Sequence, residues 1–445
     1  MKQKKSNRIV LIFLALILIL ALGLRFRVFS KQINNMSLSN DPRNYWEMSH
    51  RMVDEGIYRY SYDKSTNEPN ARVTPGYPLF LAAVYKVLGD KYLQITVVRI
   101  LQIIMSTVSV LLGFLIVKKA FKTDLAALLT AFFMAIYPTY AMSPVMLLTE
   151  TMALFTMLLY FYLMLFAFES GNKLINLITG IAFGVHVLVR PALLPLFIFP
   201  FIFCILSSRT SKKAFEEHAL AQSYFNRRYS DKRQRTNNRR PYLGALASMF
   251  VFQLIGLIIV MAPWWIRNVA VLGEFTLTAK GTGNPFLAGT YPYFQEYFLD
   301  VSEEIKNSND LQMAHGIQRL IEGLKTDPVL YIKWYTLGKT EYIFNQPYLS
   351  RLLMNSQTPS IVIHFSVLIP GILGVILHAI KGMKSFWFYF YGLTILGLQL
   401  MFVPDPRFAY LIMFFIIVGA AYLISSIIKA MGTKKGIQGD VSPVP

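Results

Sequence analysis

Few side chains in this sequence are placed to do chemistry, and most of those are carboxylates or guanidiniums beside apolar stretches. Asp41, in Ser39-Asn40-Asp41-Pro42-Arg43, stands soon after the first apolar run. Near a bilayer face, where a lower dielectric strengthens its interactions, such a carboxylate could take a proton from an incoming hydroxyl. Spacing alone favours a plainer role, because Asp followed by Pro is a common helix start and Asp41 would cap it. Glu150, in Pro144-Val145-Met146-Leu147-Leu148-Thr149-Glu150, is the one acid inside an apolar stretch. Carboxylates at that depth are costly and are functional candidates by default, while a place near a helix end equally lets the group reach water.

Arginines recur at the expected outer ends of helices: Arg190 before Pro191, Arg267 after Trp264-Trp265-Ile266, and Arg407 in Pro404-Asp405-Pro406-Arg407-Phe408. A planar guanidinium suits bidentate binding of phosphate, so one shared anionic headgroup would explain all three. Each alone reads as an ordinary headgroup contact, and Arg407 has Asp405 for a partner. The segment Arg72-Val73-Thr74-Pro75-Gly76-Tyr77-Pro78 makes a rigid turn back toward the membrane and presents Arg72 and Tyr77 at the interface. The six histidines are scattered and match no zinc spacing. No phosphate-binding loop, nucleophile elbow or dinucleotide fingerprint is present, and Gly281-Thr282-Gly283 reads as a loop.

These residues sit in a chain that is 54% hydrophobic and 15% charged, too apolar for a soluble protein of 445 residues. Ten runs are candidate spans, approximately Ile9 to Arg27, Tyr92 to Val117, Leu125 to Tyr140, Leu147 to Phe168, Leu174 to Val189, Ala192 to Leu206, Leu243 to Ile266, Ile361 to Ile380, Phe386 to Val403 and Phe408 to Ile428. Pro191 and Pro195 could instead make the fifth and sixth runs one broken helix. The expected architecture is an α-helical polytopic membrane protein of about ten spans, with the first an uncleaved anchor.

The formal charge of +20 falls largely in short connections: the N-terminal lysines, Lys118 to Lys122, the run Arg209 to Arg240, Lys381 with Lys384, and the lysines of the tail. That distribution argues against nucleic acid and places these segments, with both termini, in the cytoplasm. The segments 31–78 and 267–360 then lie outside and hold most of the 24 acids, so external carboxylates are the expected catalytic ones. Helices are expected at Tyr45 to Glu55 and at Pro328 to Phe344, the latter lying on the membrane surface. Three units follow: a module 1–266 that includes the loops 30–78 and 207–242, an outer region 267–360, and C-terminal helices 361–445. Cys204, the single cysteine, excludes an internal disulfide.

The ordered series Asp41 with Tyr45, Gly56-Ile57-Tyr58, Arg72 with Pro75-Gly76-Tyr77-Pro78, Thr149-Glu150, Arg190-Pro191, Trp264-Trp265-Ile266-Arg267-Asn268 and Asp405-Pro406-Arg407 resembles the GT-C superfamily of polytopic glycosyltransferases. The likeness is to the protein O-mannosyltransferase and aminoarabinose-transferase type. The resemblance implies a sugar moved from a polyprenyl-phosphate donor to an acceptor hydroxyl or amine at the outer face, with inversion. Asp41 matches the family's first-loop acid, the likeness makes Arg72, Arg190, Arg267 and Arg407 candidate phosphate ligands, and it puts Tyr45, Tyr77 and Asn268 beside substrate. Where relatives carry two adjacent acids this chain has Asp41-Pro42, so a second carboxylate would have to come from Glu150. No cofactor is implied with certainty, and no motif asks for a divalent metal. The expected partners are the lipid-linked donor, membrane lipids and an acceptor glycan, lipid or protein, at the cell membrane. A lipid or polysaccharide transporter and a non-catalytic scaffold are the competing classes.

Overall fold

The computed structural model describes residues 2–60, 68–209, 239–296, 300–349, 356–380 and 386–438. Each of the ten apolar runs contains helix, and among the described residues no strand is formed. Chain order begins with α1 (Lys2–Gln32), α2 (Asn40–Asp54), α3 (Gly76–Leu88), α4 (Lys91–Phe121), α5 (Asp124–Ile136), α6 (Pro138–Met142), α7 (Thr149–Ser170), α8 (Lys173–Val189) and α9 (Phe199–Arg209). It continues with α10 (Arg239–Leu272), α11 (Gly283–Gly289), α12 (Asn309–Thr326), α13 (Thr358–Ile380), α14 (Phe386–Gln399) and α15 (Ala409–Gln438).

Among the described residues six helices are long and apolar enough to cross a membrane: Asn7–Gln32, Lys91–Phe121, Thr149–Ser170, Leu243–Leu272, Thr358–Ile380 and Pro406–Met431. The protein is a multi-pass membrane protein. The expected count of ten is not reached by length, because α8, α9 and α14 are short and the third run is broken. At Tyr137 the backbone leaves helical geometry, Pro138 starts α6, and the two pieces are bent by 59°. Pro191 begins a 3-10 segment, Pro191–Ile198, so the fifth and sixth runs are likewise joined through a broken stretch. The Pro75-Gly76 turn is the entry to α3, an apolar helix that composition did not mark.

Broken backbone at membrane depth must find its hydrogen bonds inside the protein. Buried polar side chains supply them. Arg25 on α1, 1% exposed, donates through Nη1 to the Ala135 carbonyl at 3.3 Å and through Nη2 to that of Met134 at 3.4 Å, at the frayed end of α5. Its Nε donates to Ser106 Oγ at 2.7 Å. Arg99 on α4 donates to the carbonyls of Val145, Gln32 and Asn35, each at 2.9 Å. Gln102, one turn further, donates to those of Pro144 and Met146 at 2.8 and 2.7 Å. The segment 137–148, which delivers Glu150, is therefore tied to α1 and α4.

Elsewhere helices pack at close range. A Cβ on Gly180 of α8 would strike the Gln253 carbonyl, and one on Gly256 of α10 the Leu177 carbonyl. Small residues permit this approach, and Gln253 Nε2 donates to Asn176 Oδ1 at 2.9 Å across the same crossing. The turn after α4 and the end of α15 share one end of the bundle, where Lys429 Nζ donates to Thr123 Oγ1 at 3.3 Å and Lys119 pairs with Glu169. The first and second loop regions meet at the opposite end. Apart from its ends, the basic run Arg209 to Arg240 lies outside the described residues, as do Lys381 and Lys384.

The surface segment expected at Pro328 to Phe344 forms as Pro328–Lys333, a π-turn Trp334–Gly338 and Lys339–Phe344. Trp334 and Ile343 face inward and Val329, Ile332 and Leu337 outward, the division an interfacial helix needs. Gly281 and Thr282 of the Gly281-Thr282-Gly283 stretch, read as a loop, are non-helical, and α11 begins at Gly283.

Lys339 is fully buried there, its Nζ 2.8 Å from the Leu400 carbonyl and 3.6 Å from the centre of the Tyr335 ring. Burial brings its ammonium down to about 7. An unfolded lysine titrates near 10.4, so between roughly pH 7 and 10.4 the unfolded chain holds a proton the folded one lacks. Stability should therefore rise with pH across that window, and the gain should be absent below it. The expected result is an unfolding midpoint that climbs from pH 7 to pH 9 in wild type and climbs less in Lys339→Met; parallel profiles would contradict it.

Candidate active site

Asp41 lies in the first turn of α2, whose buried face is Tyr45, Met48, Ser49 and His50. It does not serve as the cap: Ser39 occupies that position, without a side-chain hydrogen bond. The carboxylate instead accepts from Arg407 Nη1 at 2.7 Å and from the Tyr60 hydroxyl at 2.6 Å. Glu150 lies in the first turn of α7, where the helix dipole favours an anion. At 1% exposure it does not snorkel to water. It accepts from Arg190 Nη1 at 3.1 Å, from Arg407 Nη2 at 3.3 Å and from Arg407 Nε.

One guanidinium thus joins two carboxylates that are far apart in the chain. Arg407 is placed by a 3-10 turn, Pro406–Phe408, whose start is capped by the Asp405 side chain accepting the Arg407 backbone N–H at 2.7 Å. The side-chain pairing with Asp405 that proximity suggested gives way to this cap, and the guanidinium is free to face the bundle. Arg190 follows the end of α8 and lies over the Phe408 ring at 5.7 Å. The four side chains differ in access: Asp41 is 26% exposed, Arg407 21%, Arg190 16% and Glu150 1%. A solvent-facing carboxylate is therefore backed by a buried one through a shared arginine.

Around the cluster, Tyr45 packs its ring 5.0 Å from Tyr60 and 5.2 Å from Tyr77, and the Tyr77 hydroxyl donates to Gln102 at 3.0 Å. Burial, reinforced by Asp41, pushes the Tyr45 phenol above its usual range. Tyr348 is pushed up to about 12 mainly by burial, against the pull of Arg407. Both phenols stay protonated at neutral pH.

The four expected arginines do not share one site. Arg267 donates from Nη1 to the Asn70 carbonyl at 3.0 Å and from Nη2 to the Tyr58 carbonyl at 3.2 Å, with Tyr58 and Trp264 rings at 4.9 and 5.4 Å. It holds the first loop against α10. Asn268 is fully buried and accepts from Arg267 at 2.9 Å. Arg72 lines a separate cavity with Lys280. The apolar run ending at Ile266 predicts a helix end at Arg267, but α10 runs on to Leu272, and one-dimensional spacing does not distinguish a guanidinium facing carboxylates from one facing backbone carbonyls. Among the described residues no three His, Cys, Asp or Glu gather as a metal site.

Residues 71–223, roughly a third of the chain, match the family described as dolichyl-phosphate-mannose-protein mannosyltransferase. That stretch contains Glu150 and Arg190. No match among curated protein sequences is significant. The archaeal oligosaccharyltransferase of Archaeoglobus fulgidus, in complex with an inhibitory peptide and a dolichol-phosphate, superposes with a TM-score of 0.52 at 15% identity. The match covers 99% of this chain and 53% of that one. The apo form of the enzyme gives 0.53 at 15% identity, over 98% and 52%. The fold is similar to that of this archaeal oligosaccharyltransferase over nearly the whole of the chain. ArnT from Cupriavidus metallidurans bound to undecaprenyl phosphate matches at a TM-score of 0.40 and 11% identity over 94% of this chain and 77% of that one, too remote in shape to carry an argument. The chain spans about half the length of the archaeal enzyme.

Within this fold, the site owes much to residues that the sequence did not advertise. Tyr60, the partner of Asp41, is fixed by Asn70, which accepts from the Tyr60 N–H at 3.2 Å and donates to its carbonyl at 2.9 Å. Its only sequence signal is the alternation Tyr58-Arg59-Tyr60. Arg99 and Gln102 were hidden inside the apolar run of α4, and their polarity at that depth was the signal to follow.

Proposed function

We propose that the protein is a glycosyltransferase that takes its sugar from a polyprenyl-phosphate carrier, with Asp41 as general base. The observation that carries this reading is the Arg407 bridge, which leaves Asp41 partly open while its second oxygen is held by Tyr60 and Glu150 is sealed behind it. An acceptor hydroxyl or amine approaching Asp41 loses its proton to the carboxylate as its oxygen or nitrogen bonds to the anomeric carbon. The bond from that carbon to the phosphate oxygen breaks, and the carrier leaves as a lipid phosphate with the configuration inverted. Negative charge grows on the departing phosphate. Arg190 donates to Glu150 through Nη1 and carries further N–H donors, and with Arg407 it would stabilise that charge in a water-poor setting. Glu150 acts through the two arginines, as a positioning group. The fold likeness to an enzyme seen with dolichol-phosphate supports a lipid-phosphate donor.

In this reading the loops that carry Asp41 and Trp334 lie on the outer face and the run Arg209 to Arg240 in the cytoplasm, as the charge distribution favours. Asp41→Asn keeps the shape and removes the base. The expected loss is about 10²- to 10⁴-fold in sugar transfer from a labelled polyprenyl-phosphate donor, with insertion unchanged. Undiminished turnover in that variant would remove Asp41 from the role, and accumulation of substrate in vesicles without covalent product would favour a transporter.

A further inference from the structure

The first and second loop regions enclose a cavity of about 280 Å³, just under the common range of roughly 300–1,000 Å³ for small-molecule sites. It is distinct from the Arg407 cluster. Arg72, Lys280 and Lys306 line it against one carboxylate, Glu274, which pairs with Lys280. Lys306 pairs with Glu303 at 2.7 Å, but Glu303 is 79% exposed, so water weakens that pair. Among the described lining residues the cationic side chains outnumber the carboxylates. Amides supply most of the remaining lining: Asn284 and Asn307 make no side-chain hydrogen bond among the described residues, and Asn309 accepts the Gly283 N–H at 2.8 Å. Amides both donate and accept, which suits hydroxyls, whereas a guanidinium and two ammonium groups suit an anion.

The walls are built by close backbone approach. Lys280 N–H donates to the Ala71 carbonyl at 2.8 Å, and a Cβ on Gly281 would collide with the Arg72 carbonyl. Asn70 lines the same cavity, and it is the residue that fixes Tyr60, whose hydroxyl reaches Asp41. Asn70 thus belongs to the cavity wall and, through Tyr60, to the surroundings of the proposed base.

We propose that this cavity binds a hydroxyl-rich, anionic group, a sugar unit bearing a phosphate or carboxylate, as part of the water-soluble acceptor. Naming the occupant an acceptor rests on the transferase reading; the binding does not. Leu272, at the end of α10, puts the cavity near the interface, so an anionic lipid headgroup shares the chemistry and is separated by the test.

Full-length protein in phosphatidylcholine nanodiscs is titrated with labelled glucose 6-phosphate, with glucose, inorganic phosphate and phosphatidylglycerol as competitors. Saturable binding is expected in wild type and equally in Asp41→Asn. Lys280→Gln/Lys306→Gln, changes at partly exposed side chains, should weaken it at least tenfold with the unfolding midpoint unchanged. Glucose and phosphate should each compete at least tenfold less well than the sugar phosphate. Absence of saturable binding, or equal binding in the double variant, overturns the site. Displacement by phosphatidylglycerol overturns the water-soluble source. Should Asp41→Asn keep full transfer while binding behaves as expected, the transferase reading fails and the anion site stands.

Discussion

Arg407→Gln is expected to reduce sugar transfer by about 10³-fold or more and to destabilise the fold by about 3–5 kcal/mol. The two losses have different origins. Glu150, almost wholly buried, accepts from Arg407 Nε and Nη2 as well as from Arg190, so the substitution leaves a sealed carboxylate with one guanidinium where it had two. Removing one member of a buried ion group costs more than the group contributes, because the remaining charge is left uncompensated. Transfer falls for another reason: Asp41 loses the donor at 2.7 Å that fixes its direction, and the leaving phosphate loses a cation. A second substitution separates these effects. Glu150→Gln in the same chain removes the stranded charge, so Arg407→Gln/Glu150→Gln should recover most of the stability and little of the transfer. A coupling of that sign in unfolding midpoints, measured beside turnover, supports the bridge. If Arg407→Gln alone unfolds and turns over like wild type, the bridge has no functional part.

Membrane class and helical content were legible because burial in lipid leaves an apolar run wherever a helix crosses, and each of the ten runs holds helix. Their number as spans was not, since Tyr137-Pro138 and Pro191 break runs that composition sees as continuous. The site was half legible. Glu150 announced itself by its cost inside the Leu147 to Phe168 run, and Asp41 by its place after the first helix. Whether Asp41 capped α2 or faced a partner depended on Arg407, 366 residues away, and no local rule reaches so far. The arginines show the same limit. Arg190 and Arg407 meet Glu150, whereas Arg267, which the sequence pattern likewise puts at a helix end, lies inside α10 and turns to the carbonyls of Tyr58 and Asn70.

Arg25→Met should cost about 2–4 kcal/mol and impair transfer although Arg25 touches none of the site's charged groups. Two opposing terms set the sign. Arg25 has no carboxylate among its hydrogen-bond partners, so removing it relieves a costly buried charge. Against that, the carbonyls of Met134 and Ala135 lie at the broken end of α5, where the helix offers them no successor N–H, and lipid offers no water. Ser106 Oγ, which donates to the Tyr140 carbonyl at 3.1 Å, would lose its Arg25 donor as well. Several lost partners at roughly 1–3 kcal/mol each outweigh the relief. The segment 137–148 would then rely on Arg99, Gln102 and the bonds of Tyr137, Tyr140 and Ser143 to His364 and Tyr410, and α7 would present Glu150 less firmly to Arg407. Arg25→Lys should recover only part of the loss, because an ammonium cannot span Ser106 and two carbonyls as a planar fork does. A thermal unfolding series in detergent checks the order wild type, Arg25→Lys, Arg25→Met. If Arg25→Met is as stable as wild type, or more so, charge relief dominates and the broken helix is held by its contacts with α4, α13 and α15.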